Sequence, residues 1–380
     1  MAEVQIFDGA IDKGLEGIVA CSTAVSSIQD NTLSYRGFTI EDLAKNSTFE
    51  EVVFLLWNNR LPNAAELEKF KQTLAGEYSL PSDMIAALKT IPTKNVHAMQ
   101  WLRTAFSLMS HWDVDANDNS TEANARKSIR MTAKMGTLVC AFEAIRNGKE
   151  PVAPKKDKSI AWNFLYMLKG GQEPKPEHVK IFDTCLILHA DHELNCSAFA
   201  TRVTTSSLSD MYSAITSAIG ALKGPLHGGA NEQVMIMLKK IGTIEKAQQF
   251  VKDALAAKEK VMGIGHRVYK NGDPRAAILR KISDTLTAEI GKHELYEMSI
   301  LIDDTMNKEK GLMPNVDFYS ATVYYSMGIP IDIFTPIFAV SRISGWIAHA
   351  MEQYANNRIY RPRGKWVGKT GQHWSAPNQR

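Results

Sequence analysis

From residue 48 onward, apolar positions recur at three- and four-residue intervals, the spacing that puts them on one face of a helix. Thr48 and Glu51 have capping-box spacing, and Val52, Val53, Leu55, Leu56 and Trp57 supply the apolar face that follows. Pro62 stops this helix and Asn63 is placed to cap the next. The pattern predicts further helices over 64–75, 81–88, 96–110, 121–146, 177–190, 197–205 and 210–222, with loops at 147–158 and 169–176. Gly224-Pro225 is a strong stop and a candidate hinge. Beyond it, 231–240, 243–258, 273–290 and 294–307 read as a compact helical block, broken at 311–314, and a long apolar run follows over 331–356. The Met- and aromatic-rich stretch 319–327 reads as core packing. Only the first forty residues favour strands, at 17–23 and 32–35 around the turn Gln29-Asp30-Asn31, which predicts a small antiparallel sheet.

This is a mainly α chain with a small N-terminal β element. At 380 residues it exceeds the usual span of one domain. The expected division is a large helical domain formed by 1–223 and 324–380, with a smaller helical domain at 224–323. The polar tail 358–380 has no core pattern and is expected to reach a partner subunit.

Composition removes several classes of function. Lys plus Arg (44) nearly balance Asp plus Glu (41), which argues against a nucleic-acid binder with a basic stripe. No stretch reaches the roughly 18 uninterrupted apolar residues that suggest a membrane span, and residues 1–14 lack the basic and apolar regions of a signal peptide. Cys21, Cys140, Cys185 and Cys196 form no CxxC pair, which fits a reducing, cytoplasmic setting.

Chemistry collects in the second half. Histidines occur in His189-Ala-Asp-His192, in Gly224-Pro-Leu-His227-Gly-Gly-Ala-Asn231 and in Gly263-Ile-Gly-His266-Arg-Val-Tyr-Lys270. Glycine lets a backbone approach a ligand closely, so an imidazole beside glycines is placed where a small molecule can touch it. A lone histidine among helices is more often structural, and Asp317 alone would be read as a helix N-cap. The combination, with Arg275, Arg342 and Arg361, points instead to a site for a polyanion such as a dicarboxylate, because guanidinium grips carboxylate as a fork.

At these motifs the chain resembles the citrate synthase family in its short bacterial and archaeal form, from about Gly14 to Gly368. The most specific stretches are 189–195, 224–231, 265–270 with Asp273-Pro-Arg275, and Asn315-Val-Asp-Phe-Tyr319. The resemblance implies the two-domain multi-helical fold of that family and condensation of acetyl-CoA with oxaloacetate to citrate. It implies His227, His266 and Asp317 as the catalytic trio, and His192, Arg275, Arg342 and Arg361 as the oxaloacetate ligands. Lys260, Val261, Met262, Gly263 and Ile264 resemble the loop that reads the adenine of CoA, with Lys310 a further phosphate contact. It implies a homodimer, a CoA thioester as co-substrate, no permanently bound cofactor and no metal.

The trio makes chemical sense by itself. A thioester α-proton is weakly acidic, so its removal needs a carboxylate base at the methyl group and a donor where enolate charge develops. Asp317 is the natural base, neutral His227 the donor, and His266 the group that polarises the keto oxygen of oxaloacetate. The near alternative is 2-methylcitrate synthase, since one added methylene changes discrimination by only about 1 to 3 kcal/mol. A metal-dependent hydrolase is the alternative from another class, because His189, Asp191, His192, His227, His266 and Asp317 are all possible ligands. A helical scaffold has no use for this set of imidazoles and guanidinium forks.

Overall fold

The computed structural model describes residues 13–269 and 271–380. Residues 1–12, which include most of the segment lacking a signal-peptide pattern, and Lys270 of the 265–270 motif lie outside the described residues. Backbone contacts group Thr23–Arg358 into one compact unit and, of the described residues, 13–22 with Ile359–Arg380 into another.

In the terminal unit, described from residue 13, regular structure among the described residues is limited to the 3-10 turns Lys13–Leu15 and Pro377–Gln379. Large apolar side chains there, Val19, Trp366, Val367 and Trp374, are mostly exposed.

The larger unit begins with strands β1 (Ser26–Gln29), β2 (Thr32–Tyr35) and β3 (Phe38–Thr39), paired antiparallel in that order. The β1–β2 register joins Gln29 to Thr32 across a two-residue turn in which Asp30 (φ 47°) and Asn31 (φ 65°) are both left-handed. That conformation is the one that matches strand twist, so it pairs β2 with the residues immediately before the turn. The strand expected at 17–23 is therefore displaced to Ser26–Gln29, and 17–23 is irregular.

Helices follow closely where the pattern places them. Thr48 caps Phe49–Asn58 by accepting from Glu51 N, although the Glu51 carboxylate turns to Ser47 Oγ (2.6 Å) instead of closing a capping box. Asn63 and Glu66 make the full reciprocal box on Ala64–Gly76. Gly311 (φ 64°) ends Glu294–Lys310 in the left-handed conformation that glycine adopts without penalty.

The core is organised around helix Phe334–Ala355, buried along most of its length. With the turn before it, Ile331–Ala355 is long and apolar enough to cross a membrane by composition, but 89% of that window is buried inside the protein, as for a central core helix. Its interior still carries Arg342, His349 and Gln353, all buried. Helix Val316–Ser326 is likewise buried, and Tyr319 and Tyr324 are core residues as the pattern predicts.

A network of buried polar groups ties the central helix to residues 189–193. His349 Nε2 lies 3.1 Å from Asp191 Oδ2, and Ser26 Oγ donates to the same oxygen at 2.5 Å. Arg202 Nε donates to His349 Nδ1 (3.1 Å), which leaves the His349 proton on Nε2 for Asp191. The Tyr35 hydroxyl donates to the Asp191 carbonyl at 2.9 Å. Contact here is so close that a Cβ at Gly345 would lie 2.5 Å from Ala190 O and 2.5 Å from Asp191 Oδ1. Gly345→Ala should therefore push the helix off this segment and cost about 1 to 3 kcal/mol, as overpacking does. Chemical denaturation checks this; stability within about 0.5 kcal/mol of the parent would mean the segment yields freely.

Candidate active site

His227 sits in the turn between helices Met211–Leu222 and Ala230–Ile241. Gly228, which follows it, donates its N–H to Leu222 O at 3.0 Å, an approach that leaves no room for a side chain: a Cβ there would fall 2.6 Å from the same oxygen. The ring is fixed by the N-terminus of helix Cys196–Ser206. Its Nε2 lies 2.8 Å from Ser197 Oγ and accepts from the Ser197 backbone N–H at 3.3 Å. An amide N–H can only donate, so Nε2 is an acceptor and the ring proton belongs on Nδ1. Ser197 is itself fixed by Trp346 Nε1 (2.9 Å) and by Asn195 Oδ1 (2.8 Å).

His266 is fixed in the opposite tautomer. Its Nδ1 accepts from the backbone N–H groups of Val268 (3.0 Å) and Tyr269 (3.2 Å), so its proton belongs on Nε2. The rings of His192 and His266 meet edge to face at 5.0 Å, and Tyr269 stands 4.6 Å from His266. The Tyr269 hydroxyl lies 3.1 Å from His192 Nε2.

All three imidazoles are uncharged near neutral pH. Burial lowers His227 to about 4, with Arg342 adding to the effect. Burial followed by Arg275 lowers His266 to about 4. His192 falls well below its ordinary value through burial, then Arg275, His266 and Arg342. Each imidazole is thus a neutral hydrogen-bond donor or acceptor instead of a cation.

The arginines behind these shifts are themselves buried, Arg275 at 2% exposure and Arg342 at 1%. Arg275 forks onto Asp273, Nε to Oδ1 at 3.0 Å and Nη2 to Oδ2 at 2.8 Å. One edge of the guanidinium expected to bind substrate is thus held by an internal carboxylate. Asp273 Oδ2 also accepts from Val316 N (3.0 Å), which ties the arginine to the helix carrying Asp317. Arg342 donates Nε to His189 O at 2.6 Å and lies over the Phe338 ring at 4.6 Å. Burial lowers it to about 10, still charged at neutral pH. Arg361 lies in the terminal unit and is exposed.

Asp317 is not the helix cap that it would be read as in isolation. Asn315 caps Val316–Ser326, its Oδ1 accepting from Asp317 N at 3.0 Å, so the Asp317 carboxyl is released from that duty. It is buried, with Oδ1 lacking a hydrogen-bond partner among the described residues. Burial raises it to about 7, against the opposing pull of Arg275 and Arg342. A carboxyl poised near neutral pH is suited to take a proton from a weak acid.

The segments bearing His266 and Asp317 are joined through their backbones. Gly265 N donates to Met313 O (2.8 Å), Asn315 N to Gly263 O (2.9 Å), and Asn315 Nδ2 to Gly265 O (2.9 Å). Gly263 (φ 74°) permits this approach, since a Cβ would lie 2.6 Å from Val234 Cγ2 and 2.9 Å from Phe318 Cδ2. In the expected CoA loop, Val261 is packed in the core, Met262 and Ile264 are half-buried, and Lys260 is exposed, as is Lys310. Among the described residues no cluster of three or more His, Cys, Asp or Glu side chains is placed to hold a metal ion.

Sequence reasoning assigned roles to the histidines, arginines and Asp317 but none to their supports Asn195, Tyr269, Asp273 and Asn315, which it met only as motif members, nor to Ser197. A partial signal existed for three of them. Asn195, Asp273 and Asn315 each precede a helical pattern directly and do cap it.

With this geometry in hand, comparison with known proteins places the chain. The family model for the citrate synthase C-terminal domain matches residues 14–363. Citrate synthase 2 of Bacillus subtilis is 55% identical over 368 residues, 97% of this chain and 99% of that protein. Citrate synthase of Haloferax volcanii is 45% identical over 378 residues, 98% of this chain and 100% of that protein. Citrate synthase of Thermoplasma acidophilum, solved as a ternary complex with carboxymethyl coenzyme A and oxaloacetate, superposes with a TM-score of 0.93 at 32% identity, covering 98% of this chain and 100% of that one. The chain belongs to the citrate synthase family, a family of acyltransferases. The names of these relatives favour citrate over 2-methylcitrate as the product and do not favour a metal-dependent hydrolase.

The position of Asp317 has a consequence for stability. Its folded-state value, about 7, is raised above the ordinary 3.8, so its contribution to stability is fully present below the unfolded value and is lost as pH rises through about 7. Asp317→Asn removes that loss. The variant should unfold at a higher temperature than the parent at pH 8, by an amount on the order of a few kcal/mol in stability, and at a similar temperature at pH 4. A thermal scan showing no greater gain at pH 8 than at pH 4 would mean that Asp317 ionises freely in the fold.

Proposed function

We propose that the protein condenses acetyl-CoA with oxaloacetate and hydrolyses the resulting citryl-CoA to citrate and CoA. The observation that carries this reading is the Asp317 carboxyl, relieved of capping by Asn315, buried and held near pH 7. In this role Asp317 takes the proton from the acetyl methyl group. The charge that develops on the thioester oxygen is met by His227 Nδ1–H, whose orientation is set from behind by Ser197. His266 Nε2–H polarises the keto carbonyl of oxaloacetate, and the enol carbon bonds to that keto carbon. The thioester of citryl-CoA is then cleaved by water, releasing CoA.

Neutral imidazoles suit this chemistry. A cationic donor would protonate the enolate oxygen fully and weaken its carbon as a nucleophile, whereas a neutral N–H stabilises the charge and leaves the carbon reactive. His192, Arg275, Arg342 and Arg361 are assigned to oxaloacetate; Arg275 and Arg342 supply buried positive charge for its carboxylates, and His192 a neutral hydrogen-bonding group. The backbone of 260–264 is assigned to CoA, with Lys260 and Lys310 near its phosphates, and the thioester serves as co-substrate. That the Thermoplasma acidophilum neighbour was solved with carboxymethyl coenzyme A and oxaloacetate supports these two as the kinds of ligand the site takes.

A cytoplasmic homodimer belongs to the same proposal. Its support is the unpaired state of Cys21, Cys140, Cys185 and Cys196 and the exposure of Trp366, Val367 and Trp374 in the terminal unit.

The test is turnover of parent and Asp317→Asn with acetyl-CoA and, separately, propionyl-CoA, followed by CoA release in the presence of oxaloacetate. The parent should prefer acetyl-CoA. The variant should lose about 10²- to 10⁴-fold in kcat while binding oxaloacetate as before. A variant retaining more than about a tenth of the parent rate would place the base elsewhere, and a parent preference for propionyl-CoA would assign 2-methylcitrate as the product.

A further inference from the structure

Glu232 lies five residues beyond His227, in the first turn of helix Ala230–Ile241, and is buried at 7% exposure. The carboxylate is shared among three helix N-termini. Oε2 receives a hydrogen bond from His97 Nε2 at 3.0 Å, and His97 is the N-cap of helix Ala98–Met109. The direction is fixed, because His97 Nδ1 accepts from the Met99 backbone N–H at 3.1 Å. Oε1 receives the Thr335 hydroxyl and the Thr335 backbone N–H (3.3 Å), in the first turn of helix Phe334–Ala355. Three positive helix ends therefore converge on one negative charge. The bond to Glu232 raises His97 above its ordinary value despite partial burial, with Asp332 and Lys223 also acting on it.

A cavity of about 140 Å³ opens at this junction, lined by His97, Glu232 and Thr335 themselves and by Lys223, Pro225, Gly229 and Gln233 around the His227 turn. The helix that Glu232 starts has its entering turn occupied by His227, and the helix that Thr335 starts carries Arg342 two turns on. We propose that Glu232 is a positioning residue which, through His97 and Thr335, sets the His227 turn against the helix of Arg342. It touches neither substrate; it acts through the placement of His227. This rests on the assignment of His227 as donor to the thioester oxygen.

A misplacement of about 1 Å at a reacting group costs on the order of 100-fold in rate. Glu232→Gln keeps the shape and loses the charge, and Thr335→Val keeps the volume and loses the hydroxyl. Each should lower kcat by about 10- to 100-fold with oxaloacetate affinity within about threefold of the parent, because Arg342 is separately held by His189 and Phe338. Thr335→Ser, which retains the hydroxyl, should restore most of kcat. The double variant Glu232→Gln with Thr335→Val should be little worse than the poorer single one, since both break one junction.

A merely structural role would lower the unfolding temperature and leave kcat per folded molecule unchanged, and that result overturns the proposal. So does kcat within twofold of the parent in both single variants. If Glu232→Gln fails to fold, Thr335→Val against Thr335→Ser decides alone. The parent assay keeps the two questions apart, because a parent without condensation activity removes the proposed function, whereas an active parent with insensitive variants removes only the junction.

Discussion

Two guanidinium groups kept almost wholly out of water, Arg275 and Arg342, are the constraint on which the rest of the site depends. Burying a charge is costly unless it is paired and hydrogen-bonded, and each arginine is handled differently. Arg275 is paired with Asp273, whose second oxygen also takes the Val316 N–H. Arg342 has a carbonyl and an aromatic face, with Asp191 acting on it electrostatically. Their field reaches the titratable groups of the site. It works with burial to strip His192, His227 and His266 of charge, and against burial at Asp317. One arrangement thus yields neutral donors and a base near pH 7 without a separate device for each.

That arrangement is held by backbone as much as by side chains. The strand-like pairing of 263–265 with 313–315 fixes His266 and Asp317 relative to each other, and Gly263 lets it close. Asn315 serves twice, capping the helix of Asp317 through Oδ1 and bonding Gly265 O through Nδ2. Such double use leaves little slack, which is what acid–base chemistry within hydrogen-bond reach requires.

Much of this was legible in the sequence because local rules were obeyed. Asn63 after the stop at Pro62 announced a capped helix, and the helix formed, with Glu66 completing a reciprocal box that the sequence reading did not include. Histidines beside glycines announced turns open to close approach, and at His227 and His266 that is what glycine permits. The failures are equally physical. The strand expected at 17–23 forms instead at Ser26–Gln29, because the left-handed pair Asp30 and Asn31 dictates what pairs with β2 and β propensity alone does not report it. Asp317 in isolation reads as a cap because Asn and Asp cap alike; the neighbouring motifs favour a site residue, and the backbone shows that Asn315 holds the cap position. The occupied fork of Arg275 and the junction at Glu232 depend on residues far apart in the chain, and no local pattern reports them.

The central claim is that burial and two buried arginines hold His227 and His266 as neutral donors with opposite tautomers. Nitrogen-15 NMR of histidine-labelled protein, titrated from pH 8 to pH 4.5 and assigned with His227→Gln and His266→Gln, tests it most directly, since imidazole nitrogen shifts report proton location. The account predicts that at pH 6 both rings are neutral, with the proton on Nδ1 in His227 and on Nε2 in His266. An imidazolium signal from either ring at that pH, or the same tautomer in both, would contradict it.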